Sequence, residues 1–229
     1  MIEAFRLGVF TRGRTLWDGL DFAFGDGTAT VIVGPPSSGK TLLLAILRGE
    51  RRPDAGDVLV SGESLYRGGG DALRAFRAAS GCVPERLDAD ENRTVDALFA
   101  RSAMMRGKGA EAELKKMKEQ LLSMVGLSGT EGVRLSALSA SERARAALAA
   151  ELLRNPKVLF ADGTVLAAGG PHAGMLGTLF RMLAGAGNTI LAAERRLPPE
   201  WAAFAGPGKP VGPFLVHRLP AIPMKGGSA

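Results

Sequence analysis

Cysteine is almost absent from this chain. Cys82 stands alone, so no internal disulfide can form, which fits a reducing compartment. Beside Val83 it reads as a small buried hydrophobe. Histidine occurs twice, and with a single cysteine that leaves no cluster of the zinc type. No apolar run approaches the ~18 residues that a membrane span needs. The opening Met1-Ile2-Glu3-Ala4-Phe5-Arg6 lacks the basic-then-apolar order of a secretory leader. Aromatics make up only 6% and do not alternate with basic residues, as a stacking platform for nucleic acid would require. Repeats and blocks of like charge are missing too. Lys and Arg number 29 against 23 Asp and Glu, for a net +6, which favours acidic partners such as nucleotides, nucleic acid or an anionic leaflet. That charge is spread along the chain and reads as a solvated surface. The 229 residues suffice for one large α/β domain, or a core with a subdomain.

What is present is a loop with chemistry in it. Gly34-Pro35-Pro36-Ser37-Ser38-Gly39-Lys40-Thr41 has two glycines four residues apart, followed by Lys and a hydroxyl residue. This is the phosphate-binding pattern. The β-branched run Ala29-Thr30-Val31-Ile32-Val33 before it predicts a buried parallel strand, and Thr41 to Arg48 predicts a helix ended by Gly49. A strand, a glycine loop and a helix N-terminus together form an anion site, because inward backbone N–H groups and the helix dipole favour negative charge. Lys40 is expected to reach the β- and γ-phosphates, and the Thr41 hydroxyl to take a place on Mg²⁺. Ser37 and Ser38 can replace glycine only where the loop gives them tolerable φ values.

Taken in order, residues 3–10 and 20–24 predict short strands, and Gly25-Asp26-Gly27 a tight turn into the loop strand. Phe10 is an aromatic that either stacks on a base or packs in a strand core. Residues 57–60 predict a strand, Gly68-Gly69-Gly70 a flexible boundary, 71–79 a helix and 81–83 a short strand ended by Pro84. Residues 94–128 are mostly helical. Leu114, Met117, Leu121 and Val125 form a packing stripe, with Lys115, Lys116, Lys118 and Glu119 outside it. Ser139 with Glu142 three residues on predicts a capping box, and the alanine-rich helix that follows stops at Asn155-Pro156. Residues 158–161 predict a buried strand ending in Asp162. Pro171 starts a helix running to about Ala184, and 188–193 predict another strand. Beyond Leu197 the chain is rich in Pro and Gly, with a possible strand at 214–216.

This order and spacing resemble the nucleotide-binding subunit of an ABC (ATP-binding cassette) transporter over residues 3–195. The segment Thr15-Leu16-Trp17-Asp18-Gly19-Leu20, then Gly34 to Leu47, is similar to the family's first strands and Walker A. Residues Arg52 to Val58 resemble the next turn and strand, and Leu138 to Leu159 the signature helix running into Walker B. The resemblance implies an α/β P-loop NTPase: a RecA-like parallel sheet core, an antiparallel β subdomain, and a helical subdomain at about 71–155. A single domain of residues 1–200 would precede a Pro/Gly-rich extension, 201–229. It also implies head-to-tail dimers with ATP held between one Walker A and the other subunit's signature. By position, Phe10 resembles the adenine-stacking aromatic and Asp162 the Walker B carboxylate that holds Mg²⁺.

The departures are equally specific. The family's catalytic glutamate is Gly163 here. Its signature glycines are Ala140 and Ser141, and its signature glutamine is Glu142. The lid glutamine is Glu85, and the D-loop aspartate falls near Gly169. The switch histidine is replaced by Glu194 or Arg195, and His172 precedes the relevant strand. Phosphoryl transfer rests on positioning and charge stabilisation. The groups that bind MgATP are kept, while those that orient water are lost. Removing a general base costs on the order of 10² to 10⁴ in rate, unless Glu85 or Glu194 substitutes. The expectation is therefore ATP binding with feeble or no turnover. It would occur in a subunit on the cytoplasmic face of an inner membrane, paired with permease subunits and a second ABC ATPase. A pseudo-ATPase acting as a structural or regulatory element of such an assembly is the alternative. A soluble nucleic-acid-acting relative would want a tandem cassette, a coiled coil or a basic groove, and none is visible.

Overall fold

A computed structural model describes residues 1–11, 14–85, 87, 92–107, 111–202 and 214–219. The chain forms two sheets. Strands β1 (Ile2–Thr11), β2 (Arg14–Phe24), β4 (Ala55–Val60) and β5 (Glu63–Ser64) make an antiparallel sheet in the order β2-β1-β4-β5. Strands β3 (Ala29–Val33), β6 (Ser80–Val83), β7 (Val158–Asp162), β8 (Thr189–Glu194) and β9 (Phe214–Arg218) make the other, in the order β6-β7-β8-β3-β9, with every pairing parallel. This is the α/β architecture expected of a P-loop NTPase.

The core strands are apolar along their whole length because both faces of the parallel sheet are covered. Side chains alternate across a strand. Val31, Leu159, Ala161, Ile190 and Ala192 face one core, while Ile32, Phe160, Leu191 and Ala193 face the other. The first core is closed by α5 (Ala140–Leu153), α6 (Thr164–Ala168) and α7 (Gly170–Gly185), and the second by α1 (Lys40–Leu47) and the antiparallel sheet. Between β4 and α5 the chain makes α2 (Gly70–Ala79), α3 (Val95–Arg106) and α4 (Glu111–Met124). Leu114, Met117 and Leu121 pack against the first core and Val125 is buried in it, as the stripe requires. The short helix α8 (Pro199–Ala202) follows β8.

The structure departs from the sequence reading in several places, some local and some set by pairing between distant segments. β1 and β2 run longer than expected, because the register shifts along β1 absorb its irregular pattern. Helix α6 is absent from the reading: five residues between two left-handed glycines, Gly163 at φ 60° and Gly169 at φ 83°, show no periodicity to count. Within the stretch set apart as an extension, β9 pairs with β3 and completes the core sheet. β6, inside the region assigned to the helical subdomain, returns to that same sheet. No described helix is long and apolar enough to cross a membrane.

Candidate functional site

The phosphate loop leaves β3 at Gly34, whose N–H donates to the Glu194 carbonyl at 3.2 Å. It ends at Gly39, the left-handed N-cap of α1 at φ 89°. A side chain at Gly39 would collide with the Trp17 ring and Leu16. Trp17 is buried under the loop and donates its indole N–H to the Ser38 carbonyl at 3.1 Å. Ser37 takes a left-handed φ of 63°, whereas Ser38 does not, so one serine of the two carries the strain. Lys40 Nζ donates to the Gly34 carbonyl at 2.7 Å, the Pro35 carbonyl at 2.8 Å and Ser38 Oγ at 3.3 Å. In this state the ammonium holds the loop's own oxygens.

A cavity of about 480 Å³ opens over the loop. Pro36, Ser37, Gly39, Lys40 and Thr41 line one side, and Glu85, Asp162, Gly163 and Arg195 the other. Four sequence segments thus meet at one end of the parallel sheet. Asp162 closes β7 and is buried. Burial pushes its carboxyl above the ordinary range and Glu85 adds to the rise, while the Thr41 hydroxyl and Lys40 act in the opposite sense. Burial likewise lowers the Lys40 ammonium, aided by Arg195 and opposed by Asp162, Glu85 and Glu194. A hydroxyl and a buried carboxylate side by side are a donor set for Mg²⁺, which keeps waters and phosphate oxygens as its other ligands. No group of three or more His, Cys, Asp or Glu side chains suited to a metal occurs among the described residues.

Glu194 and Arg195, both left open as the switch position, go different ways. Arg195 lines the cavity and pairs with Glu85, Nη2 to Oε1 at 2.8 Å. Glu194 turns inward, is buried, and its Oε1 accepts from the N–H groups of Val165 at 2.7 Å and Leu166 at 3.4 Å. It caps α6 from a neighbouring strand. Its Oε2 has no hydrogen-bond partner among the described residues. Burial raises this carboxyl to about 7, against the two N–H bonds and with a further push from Asp162 and Glu85. The native state therefore keeps a proton that the unfolded chain has released. Stability from this group is full below about 4.5, falls as pH rises towards about 7, and levels off above it. Glu194→Gln should remove that slope, worth on the order of 3 kcal/mol across the window in urea unfolding. An unchanged profile would show that the proton sits elsewhere.

The signature segment stands apart from this cavity. Ser139 caps α5: its N–H and hydroxyl donate to Glu142 Oε2 at 2.8 and 2.7 Å, and its oxygen accepts from the Glu142 N–H at 3.2 Å. Those bonds hold the Glu142 carboxyl below its ordinary value. Ala140 is exposed, and Ser141 donates to the Ala168 carbonyl at the end of α6. Phe10 is exposed and does not line the cavity; its N–H donates to Asp54 Oδ2 at 2.7 Å. Arg51 also lines the cavity and escaped the sequence reading. The signal for it was a cation just past the glycine that ends α1.

A family model described as "ABC transporter" matches residues 17–165. The methionine import ATP-binding protein MetN of Geobacillus kaustophilus is 32% identical over 148 residues, 65% of this chain and 43% of that protein. The sulfate/thiosulfate import ATP-binding protein CysA of Mycobacterium tuberculosis H37Rv is 34% identical over 145 residues, 63% of this chain and 40% of that protein. The chain thus matches less than half the length of these relatives. Among solved structures, the dimeric structure of MJ0796, a bacterial ABC transporter cassette, superposes with a TM-score of 0.79 at 19% identity, covering 95% of this chain and 94% of that one. A post-hydrolysis dimer of the same cassette bound to ADP and Pi superposes with a TM-score of 0.76 at 20% identity, over 86% and 88%.

Proposed function

The chain belongs to the ABC transporter family, and from that premise we propose that it is the ATP-binding subunit of a transporter-type membrane complex, binding MgATP and hydrolysing it poorly or not at all. One observation carries the reading. Lys40, Thr41 and Asp162 converge on a single cavity, while the position beyond Asp162 is Gly163. Ammonium, loop and helix N-terminus suit the phosphates, and Thr41 with Asp162 suits Mg²⁺. Bound there, the metal supplies charge neutralisation between the terminal phosphates. The side chain that would orient an attacking water is missing.

By this proposal the subunit sits on the cytoplasmic face of an inner membrane with permease subunits and a second ABC ATPase, and nucleic acid is no partner. That MetN and CysA, similar to this chain, are import ATP-binding proteins supports the assignment. Ser139 and Ala140, exposed at the start of α5, would face ATP held by the second subunit. The carboxylate of Glu142 at that helix start brings negative charge towards a phosphate, which favours weak closure. That favours the second reading, a pseudo-ATPase that locks or regulates an assembly.

The experiment is Ser139→Arg in the complex with the partner ATPase. A shared site predicts a fall of roughly tenfold or more in the partner's ATP hydrolysis, since a bulky cation replaces a group meant to contact the phosphate. A residue serving only as a helix cap predicts about 1 kcal/mol of lost stability instead. An unaltered rate would rule out the shared site.

A further inference from the structure

We propose that Gly163, Glu85 and Arg195 form a charge latch across the phosphate cavity, which the terminal phosphate of ATP opens and ADP leaves closed. The inference rests on the nucleotide reading above. In sequence the three positions look like separate losses. In the fold they are one contact. Glu85 leans over Gly163 so closely that a Cβ there would lie 3.0 Å from Glu85 Cγ and 3.5 Å from its Cβ. The missing side chain at 163 is therefore what makes room for the lid carboxylate. Gly163 also sits at φ 60°, which tolerates a side chain poorly.

Glu85 is held from the other side by Arg195, at 2.8 Å. Arg195 follows Glu194, which pairs with Val33 in the β8–β3 ladder, so its backbone lies level with the start of the phosphate loop. Both members of the pair line the same cavity as Lys40. Their side chains are 65% and 47% exposed, and ion pairs so exposed contribute little net stability. A charge-assisted contact between a guanidinium and a phosphate is the stronger one. Exchange of Glu85 for a phosphate oxygen is therefore favourable once a phosphate reaches Arg195. The loop holds the inner phosphates of ATP and ADP alike, and only ATP has a third to offer to Lys40 and Arg195. Opening the pair leaves the Glu85 carboxylate facing an anion.

Calorimetric titration of the full chain with ATP and with ADP, each with Mg²⁺, tests this. The wild type should bind ATP about tenfold more tightly than ADP, the usual scale for one additional charge-assisted contact. Arg195→Ala should weaken ATP binding several-fold while leaving ADP within roughly a factor of two of the wild type, and Arg195→Lys should keep part of the ATP contact. Glu85→Gln should act in the opposite direction, tightening ATP by about threefold or more, because Arg195 no longer leaves a carboxylate to reach the phosphate. A merely structural role would shift the unfolding temperature of the empty protein and move both nucleotides alike. Equal affinities in the wild type, parallel losses in Arg195→Ala, or weaker ATP binding in Glu85→Gln would each overturn the latch and leave the nucleotide site standing. Failure of the wild type to bind either nucleotide would overturn the nucleotide reading, and the latch with it.

Discussion

Lys40→Ala should weaken MgATP binding by roughly 10²-fold, the equivalent of one or two charge-assisted hydrogen bonds in a largely desolvated site. The wild type is expected in the micromolar to millimolar range, so the variant should fall to about 0.1 mM or weaker. The structure adds a second cost. Lys40 Nζ satisfies the Gly34 and Pro35 carbonyls in the empty protein, and losing it leaves a buried acceptor without its donor, at about 1–3 kcal/mol. Urea unfolding of the variant separates the two effects. A folded Lys40→Ala protein that binds ATP as the wild type does would remove the loop from the nucleotide site. Wild-type protein with no ATP binding, alone and with its partner, would end the proposal altogether.

Gly163→Glu restores a carboxylate one residue beyond Asp162, and it should still leave phosphate release close to background. The position is at φ 60°, and the new Cβ meets the Glu85 side chain at 3.0 Å. Left-handed strain of about 1–2 kcal/mol adds to crowding of about 1–3 kcal/mol, so the protein should also lose roughly 2–5 kcal/mol of stability. The new carboxylate would stand against Glu85 and near Asp162, raising the negative charge where the γ-phosphate must bind. A variant that also carries Glu85→Gln and Arg195→His relieves the repulsion and supplies an imidazole at the cavity edge. It should release phosphate faster than the single variant, by up to the 10² to 10⁴ attributed to a positioned base. Robust hydrolysis by Gly163→Glu alone would show that one residue is the whole defect. The account of a broadly altered site would then be wrong.

Most of the core was legible because its signals are local. A β-branched run before a glycine loop, a capping box at Ser139 and Glu142, and a breaker at Asn155-Pro156 each act over fewer than about ten residues, and local rules reach that far. The structure has both capping-box bonds, and the helix ends at Leu153. What was not legible depends on contacts between distant segments. Glu194 and Arg195 are adjacent charges in sequence, and only the pairing of β8 beside β3 sends one inward to cap α6 and the other into the cavity. Trp17 enters the sequence reading only through the resemblance, outside the strands expected there, yet its ring fills the space behind Gly39 and its N–H fixes the loop. The functional departures were visible residue by residue. That Gly163 and Glu85 occupy one another's space was not, because 78 positions separate them and no periodicity links them.

The place of β3 bears on how the protein is made. The strand that carries the phosphate loop, Ala29–Val33, has both of its hydrogen-bonding edges filled by late parts of the chain: β8 from residue 189 and β9 from residue 214. At about 5–20 residues per second of synthesis, roughly 10–30 s separate the emergence of β3 from that of its first ladder partner. For that interval the nascent chain carries an apolar strand with two open edges, the arrangement most exposed to pairing with another molecule. The antiparallel hairpin of β1 and β2 closes early and can shelter one face of it, but no early element can fill its edges. The strand that bears the nucleotide site thus waits for β8 and β9, far downstream of it in sequence, before its ladder can close.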